Sequence, residues 1–200
     1  MNRKKDLDVF GILLGVIIGI LIGYFISTKI SAEDTPAMSE IKEEVEGYVY
    51  LLLFAKFDNP TGALNYVNNL KKSDIYAEAV FDGGYYYIYG GISSSEAELE
   101  MKKAIFEAKG FSTLIKKEYL IDKANRVLDD TVKYNFWLEG INNLIKSLKG
   151  ENIEISESYY NNPVDLEFFS CITLLQTIQN EEIKDKIKLQ AYRMIIENLL

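Results

Sequence analysis

Tyr85, Tyr86, Tyr87 and Tyr89 crowd into one short run, broken only by Ile88. On an extended strand, alternate side chains share a face. If Ile88 points into a core, Tyr85, Tyr87 and Tyr89 point the other way. Leu51 and Leu53 of a neighbouring strand would then lie on that same outer face. Aromatic rings stack on the C–H faces of sugars, and Tyr hydroxyls can hydrogen-bond their polar substituents. An exposed patch of this kind marks a binding surface. The other arrangement open to these residues is a face covered by further elements, with the tyrosines as core.

The remaining reactive residue types are less promising. Glu96, Glu98 and Glu100 alternate along one segment, and Asp129 and Asp130 are adjacent in another. Acid–base catalysis needs two carboxylates converging in a cleft, whereas a run like this reads as a solvated helix face. Cys171 could act as a nucleophile only beside a base, and the chain has no His. Its neighbours Phe168, Phe169 and Ile172 suggest buried packing, and Trp137 reads as a core anchor. A single Cys and no His disfavour a zinc site, and no phosphate-binding loop is present. We therefore expect neither a catalytic residue, nor a metal, nor a cofactor.

The formal charge of the 200-residue chain is -8, from 22 basic and 30 acidic residues. A surface so acidic disfavours nucleic acid as a partner. The lone cysteine excludes an internal disulfide, a pattern that fits a bacterial cell surface.

Residues 9–27 (VFGILLGVIIGILIGYFIS) carry no charge. Roughly 19 helical residues reach about 28 Å, the thickness of a bilayer's hydrocarbon core. A single transmembrane helix is expected, with residues 1–8 as a cytoplasmic tail. Arg3, Lys4 and Lys5 precede the span and an acidic stretch follows it, which places the C-terminal bulk outside the cytoplasm. A cleaved signal peptide would want small residues where Tyr24, Phe25 and Ile26 stand. Gly11, Gly15, Gly19 and Gly23 recur every fourth residue and form one smooth stripe on a helix. That stripe fits self-association or a partner helix in the membrane. Residues 28–46, acidic and containing Pro36, read as a linker.

The next segment switches periodicity repeatedly. Tyr48 to Ala55 reads as a strand, and Asn59-Pro60 opens a helix through Ala63, Leu64, Val67 and Leu70. Tyr76 to Phe81 alternates as a strand, and Asp82-Gly83-Gly84 signals a hairpin. Tyr85 to Gly90 is a third strand. A helix capped within Ser93-Ser94-Ser95 follows, then a strand from Phe111 to Lys116. Strand, helix and strand thus occur twice, joined by a hairpin. This is a split β-α-β, ferredoxin-like arrangement: a four-stranded antiparallel sheet with two helices on one face. The fold class is α+β.

Residues 47–118 resemble the SPOR domain, a bacterial peptidoglycan-binding module. The matching residues are Leu52-Leu53-Phe54-Ala55-Lys56-Phe57 with Ala63, then Tyr85-Tyr86-Tyr87-Ile88-Tyr89-Gly90-Gly91 with Ser93 and Ala97, and finally Ala108-Lys109-Gly110-Phe111. Leu53, Ala55 and Tyr87 stand where many members have Gln, Gly and Arg. The resemblance implies a glycan site on the open sheet face, here Leu51, Leu53, Tyr85, Tyr87 and Tyr89. It also implies peptidoglycan glycan strands as partner.

Residues 119–200 fall outside the resemblance. Apolar residues at helical spacing from Glu118 to Leu148 predict one long helix, stopped by Lys149-Gly150. Glu151 to Asn162 reads as a loop, and Pro163 as the start of the next helix. Val164–Ile178 and Glu181–Leu199 read as two more helices. Together they form either a separate bundle or helices folded back on the sheet.

Two functions follow. One is a membrane-anchored, extracytoplasmic peptidoglycan-binding protein, a cell-wall, division or sporulation factor that acts by localisation rather than catalysis. The other is a membrane-anchored interaction protein whose SPOR-like fold no longer binds glycan and whose C-terminal helices dock a protein partner. The localisation is the same in both: the cell membrane, single-pass, with the C-terminus outside.

Overall fold

A computed structural model describes residues 47–199, which belong to one compact unit. The tail, the span at 9–27 with Gly11, Gly15, Gly19 and Gly23, and the linker 28–46 lie outside the described residues. Among the described residues no helix is long and apolar enough to cross a membrane.

The chain begins as the alternation dictates, with β1 (Tyr48–Phe57), α1 (Pro60–Lys72), β2 (Glu78–Asp82), β3 (Tyr85–Ser93), α2 (Glu96–Ala108) and β4 (Leu114–Tyr119). The strands form one antiparallel sheet in the order β2-β3-β1-β4. Asn59 caps α1, its side chain accepting from the Gly62 amide at 2.7 Å, and Pro60 occupies the first turn, where no amide is needed. Gly83 and Gly84 both take positive φ in the β2–β3 turn, as a two-residue hairpin loop demands.

The β1–β3 pairing is irregular. Leu53 pairs Tyr89 and Ala55 pairs Ile88, so Phe54 and Gly90 are left out of register. Phe54 explains the irregularity. Its ring lies where a side chain on residue 90 would be: a Cβ there would stand 2.2 Å from Phe54 Cε2. Only glycine admits the ring, which packs on Phe106 and Phe111 beneath the sheet. The bulge also resets the alternation, turning Lys56 to the same face as Leu53.

One face of the sheet buries Leu52 and Ile88 against Ala63 and Leu70 of α1 and Leu99 and Phe106 of α2. The other face carries Val49, Leu51, Val80 and Tyr89, and these belong to the same core as the C-terminal helices. Of the two arrangements open for residues 119–200, the helices fold back onto the sheet. They are α3 (Ile121–Ala124), α4 (Thr131–Leu148), α5 (Glu157–Asn161), α6 (Leu166–Thr177) and α7 (Glu181–Asn198). The last of these lies against β2 and β3.

Four sequence expectations need correction, one being the loop read at residues 151–162, which holds the short helix α5. The last strand starts at Leu114 rather than Phe111 and continues to Tyr119, because β1 offers pairing partners out to Tyr48. The long helix from Glu118 is broken. Strand, short helix and a 3-10 turn use up the chain to Val127, and Asp130 caps a new helix by accepting from the Val132 and Lys133 amides, each at 3.1 Å. The helix expected to start at Pro163 starts at Leu166, where Asp165 accepts from the Phe168 amide at 2.8 Å. In each of the two helices a side-chain acceptor for the orphan first-turn amides sets the start.

Candidate site: the open end of the sheet

The expected faces hold. Leu51, Leu53, Tyr87 and Tyr89 lie on one side of the sheet, opposite Ile88. The expectation that this face is open fails for Leu51 and Tyr89, at 0% and 1% exposure. The physical reason is the core shared with the C-terminal helices, in which α7 covers Tyr89. Tyr192 meets the Tyr89 ring edge-on, with centroids 5.6 Å apart. Its hydroxyl donates to Glu118 Oε2 at 2.9 Å.

Glu118 ties the cover down. It pairs with Lys123 at 2.8 Å and with Lys116 at 3.4 Å. Burial alone pushes its carboxyl pKa up. The Lys123 hydrogen bond and charge, the Lys116 charge and the Tyr192 hydroxyl outweigh that and hold it below the usual carboxylate range. The Tyr192 hydroxyl is itself driven well above the usual tyrosine value by burial and by the Glu118 charge, so it remains a donor.

The other end of the same face is left uncovered. Tyr85 is 41% exposed and Leu114 63% exposed, with Tyr87 and Leu53 half-buried between them. The strands converge there because β1 ends, β3 begins and β4 begins at this edge. Tyr87 stacks on the buried Tyr89, with rings 13° from parallel and centroids 6.2 Å apart, which fixes its plane. Two cations flank the rings. Lys56 Nζ lies 3.5 Å from the Tyr85 centroid and 5.3 Å from that of Tyr87, and Lys116 Nζ lies 5.5 Å from Tyr87.

The patch therefore offers one oriented ring platform with ammonium groups on two sides. It can stack on a flat apolar ring face while meeting an anionic substituent of the same ligand. Of the five sequence-predicted residues, the structure brings Leu53, Tyr85 and Tyr87 to this surface and takes Leu51 and Tyr89 out of it. Sequence reasoning missed Lys56, Leu114 and Lys116. Strict alternation puts Lys56 on the opposite face, and the signal for the bulge that reverses it was Gly90-Gly91 within a strand.

The other residues weighed for chemistry have structural surroundings. Glu98 accepts from the Ser93 hydroxyl, and Glu100 pairs with Lys103 at 3.3 Å. Trp137 stacks on Phe168 with centroids 4.5 Å apart. Cys171 is buried, and burial pushes its thiol up to about 11, far from a reactive thiolate at neutral pH. Among the described residues no group of three or more acidic, His or Cys side chains is arranged to hold a metal ion.

No protein-family model matches the chain, and no curated protein matches it. Among solved structures, it is similar to the solution structure of the peptidoglycan binding domain of the B. subtilis cell wall lytic enzyme CwlC. The identity is 18% and the TM-score 0.33, over 36% of this chain and 90% of that one.

Proposed function

We propose that this chain binds peptidoglycan glycan strands through the open end of its sheet and is held at the outer side of the cytoplasmic membrane by residues 9–27. The observation that carries the reading is the Tyr85–Tyr87 platform flanked by Lys56 and Lys116. A glycan strand whose muramic acid carboxylates are freed of peptide offers both a stacking face and an anion, which these groups complement. The SPOR-like motifs of residues 47–118 support the same ligand. The chain acts by localisation, as a cell-wall, division or sporulation factor, and not by catalysis. Purified protein comprising residues 47–200 should co-sediment with sacculi stripped of stem peptides more than with intact sacculi. Equal or absent sedimentation with the two would reject the reading.

A second reading has its own support. The cover laid by the C-terminal helices over Leu51 and Tyr89 removes the part of the face that an open SPOR-like sheet would present. On this reading the chain is a membrane-anchored interaction module whose partner is a protein docked on the C-terminal helices. Failure to bind either form of sacculus would favour it.

A further inference from the structure

The long helix α4 has an apolar face in the core and a polar face that serves nothing in the site described above. Asn135, Asn142 and Asn143 lie along that polar face, and the loop at residues 151–158 stands opposite. Between them is a groove of about 630 Å³, within the range of ligand-binding clefts, which run to about 300–1,000 Å³. From Asn135 to Lys149 the helix extends for about 21 Å, the length of roughly six residues of extended peptide.

Asn143 sits in the groove wall at 1% exposure, and its Nδ2 has no acceptor among the described residues. A buried amide donor left without a partner needs an explanation, and an acceptor on a ligand in the groove that Asn143 lines would supply one. Lys146 and Lys149 line the groove, as do Glu151 and Glu154, and none of the four makes an ion pair among the described residues. Glu139, by contrast, is spent on the loop, accepting from the Ser156 amide and hydroxyl at 2.7 Å each. No aromatic ring lines the groove.

We infer that this groove is a second ligand site, for a short extended peptide that ends in a free carboxylate. The absence of rings among its lining residues argues against a sugar, which the sheet platform suits and this groove does not. Side-chain amides of Asn offer one acceptor and two donors, matching the alternating carbonyls and amides of a peptide. The lysines would take the carboxylate as charge-assisted hydrogen bonds. This inference is independent of glycan binding at the sheet.

Calorimetry on the full chain in detergent micelles tests it, with the pentapeptide Gly-Ala-Gln-Ala-Gly as probe. The free-ended peptide should bind saturably, and chitotetraose should not compete. Lys146→Gln combined with Lys149→Gln should weaken the free acid by about tenfold, the scale of a lost charge-assisted contact. The same pair should leave the C-terminally amidated peptide unchanged. Asn143→Leu should remain folded with no loss of thermal stability and weaken the peptide by a comparable factor. Tyr87→Ala should leave peptide binding intact, which separates this site from the sheet. Absence of saturable peptide binding at millimolar concentration would overturn the inference. So would competition by chitotetraose, or a lysine double variant that binds both peptide forms as the parent does.

Discussion

Cutting the chain after Tyr119 leaves every strand of the sheet in place, with both of its own helices. From the element pattern alone such a fragment is complete and should fold. The packing leads to the opposite expectation. Val49, Leu51, Val80 and Tyr89 are each no more than 1% exposed, and all four belong to the core shared with the C-terminal helices. Fully burying such a side chain contributes about 1.5–3 kcal/mol, so their exposure costs about 6–12 kcal/mol as an upper figure. The whole stability of a domain is about 5–15 kcal/mol. Residues 47–119 should therefore show no cooperative urea transition and little dispersion of amide resonances. Residues 47–200 should unfold in a single transition. A fragment 47–119 that unfolds cooperatively, at a urea midpoint near that of 47–200, would refute the shared core.

Three further outcomes follow from the same packing and from the sequence. Tyr192→Phe keeps the ring against Tyr89 but removes the donor to Glu118, and should cost about 1.5 kcal/mol, the low end for a hydrogen bond to a charged group because Lys116 and Lys123 remain; thermal unfolding of residues 47–200 reads this directly. Because the folded-state pKa of Glu118 lies below its unfolded value, its contribution is present above about pH 4.3 and is lost as pH falls through the folded value. Melting temperature should accordingly fall less steeply below pH 5 in Glu118→Gln than in the parent. A reporter joined after Leu200 should be active only outside the cytoplasm, and activity inside would reverse the orientation read from Arg3, Lys4 and Lys5.

The sheet was legible because its signals are local. Two-residue alternation, an Asn-Pro helix start and an Asp-Gly-Gly turn each constrain only neighbouring residues. They also placed Leu53, Tyr85 and Tyr87 on one face with Leu51 and Tyr89. What alternation cannot convey is which partner covers a face. Tyr89 is covered by Tyr192, which is more than a hundred residues away, Leu51 is buried in the same core, and nothing near either residue encodes that packing. The break before Asp130 was hidden for a related reason. Apolar residues at Leu120, Ala124 and Val127 keep helical spacing across it, while the β1–β4 pairing and the Asp130 cap decide where helix stops and starts. Alternation alone could not put Lys56 on this face, because the bulge at Phe54 depends on the absence of a side chain on Gly90 across the ladder.

The central claim is that the open end of the sheet, and not the chain's general surface, holds the glycan. Tyr87→Ala tests it most directly, because Tyr87 lies between Tyr85 and the buried Tyr89 and is approached by both lysines. Its side chain is half-buried at the margin of the core, so the variant of residues 47–200 should keep the parent's circular dichroism. Truncating a central ring of a binding site costs about 2 kcal/mol, roughly thirtyfold in affinity. Titration with peptide-stripped sacculi should show that loss, and a folded Tyr87→Ala that binds as tightly as the parent would contradict the account.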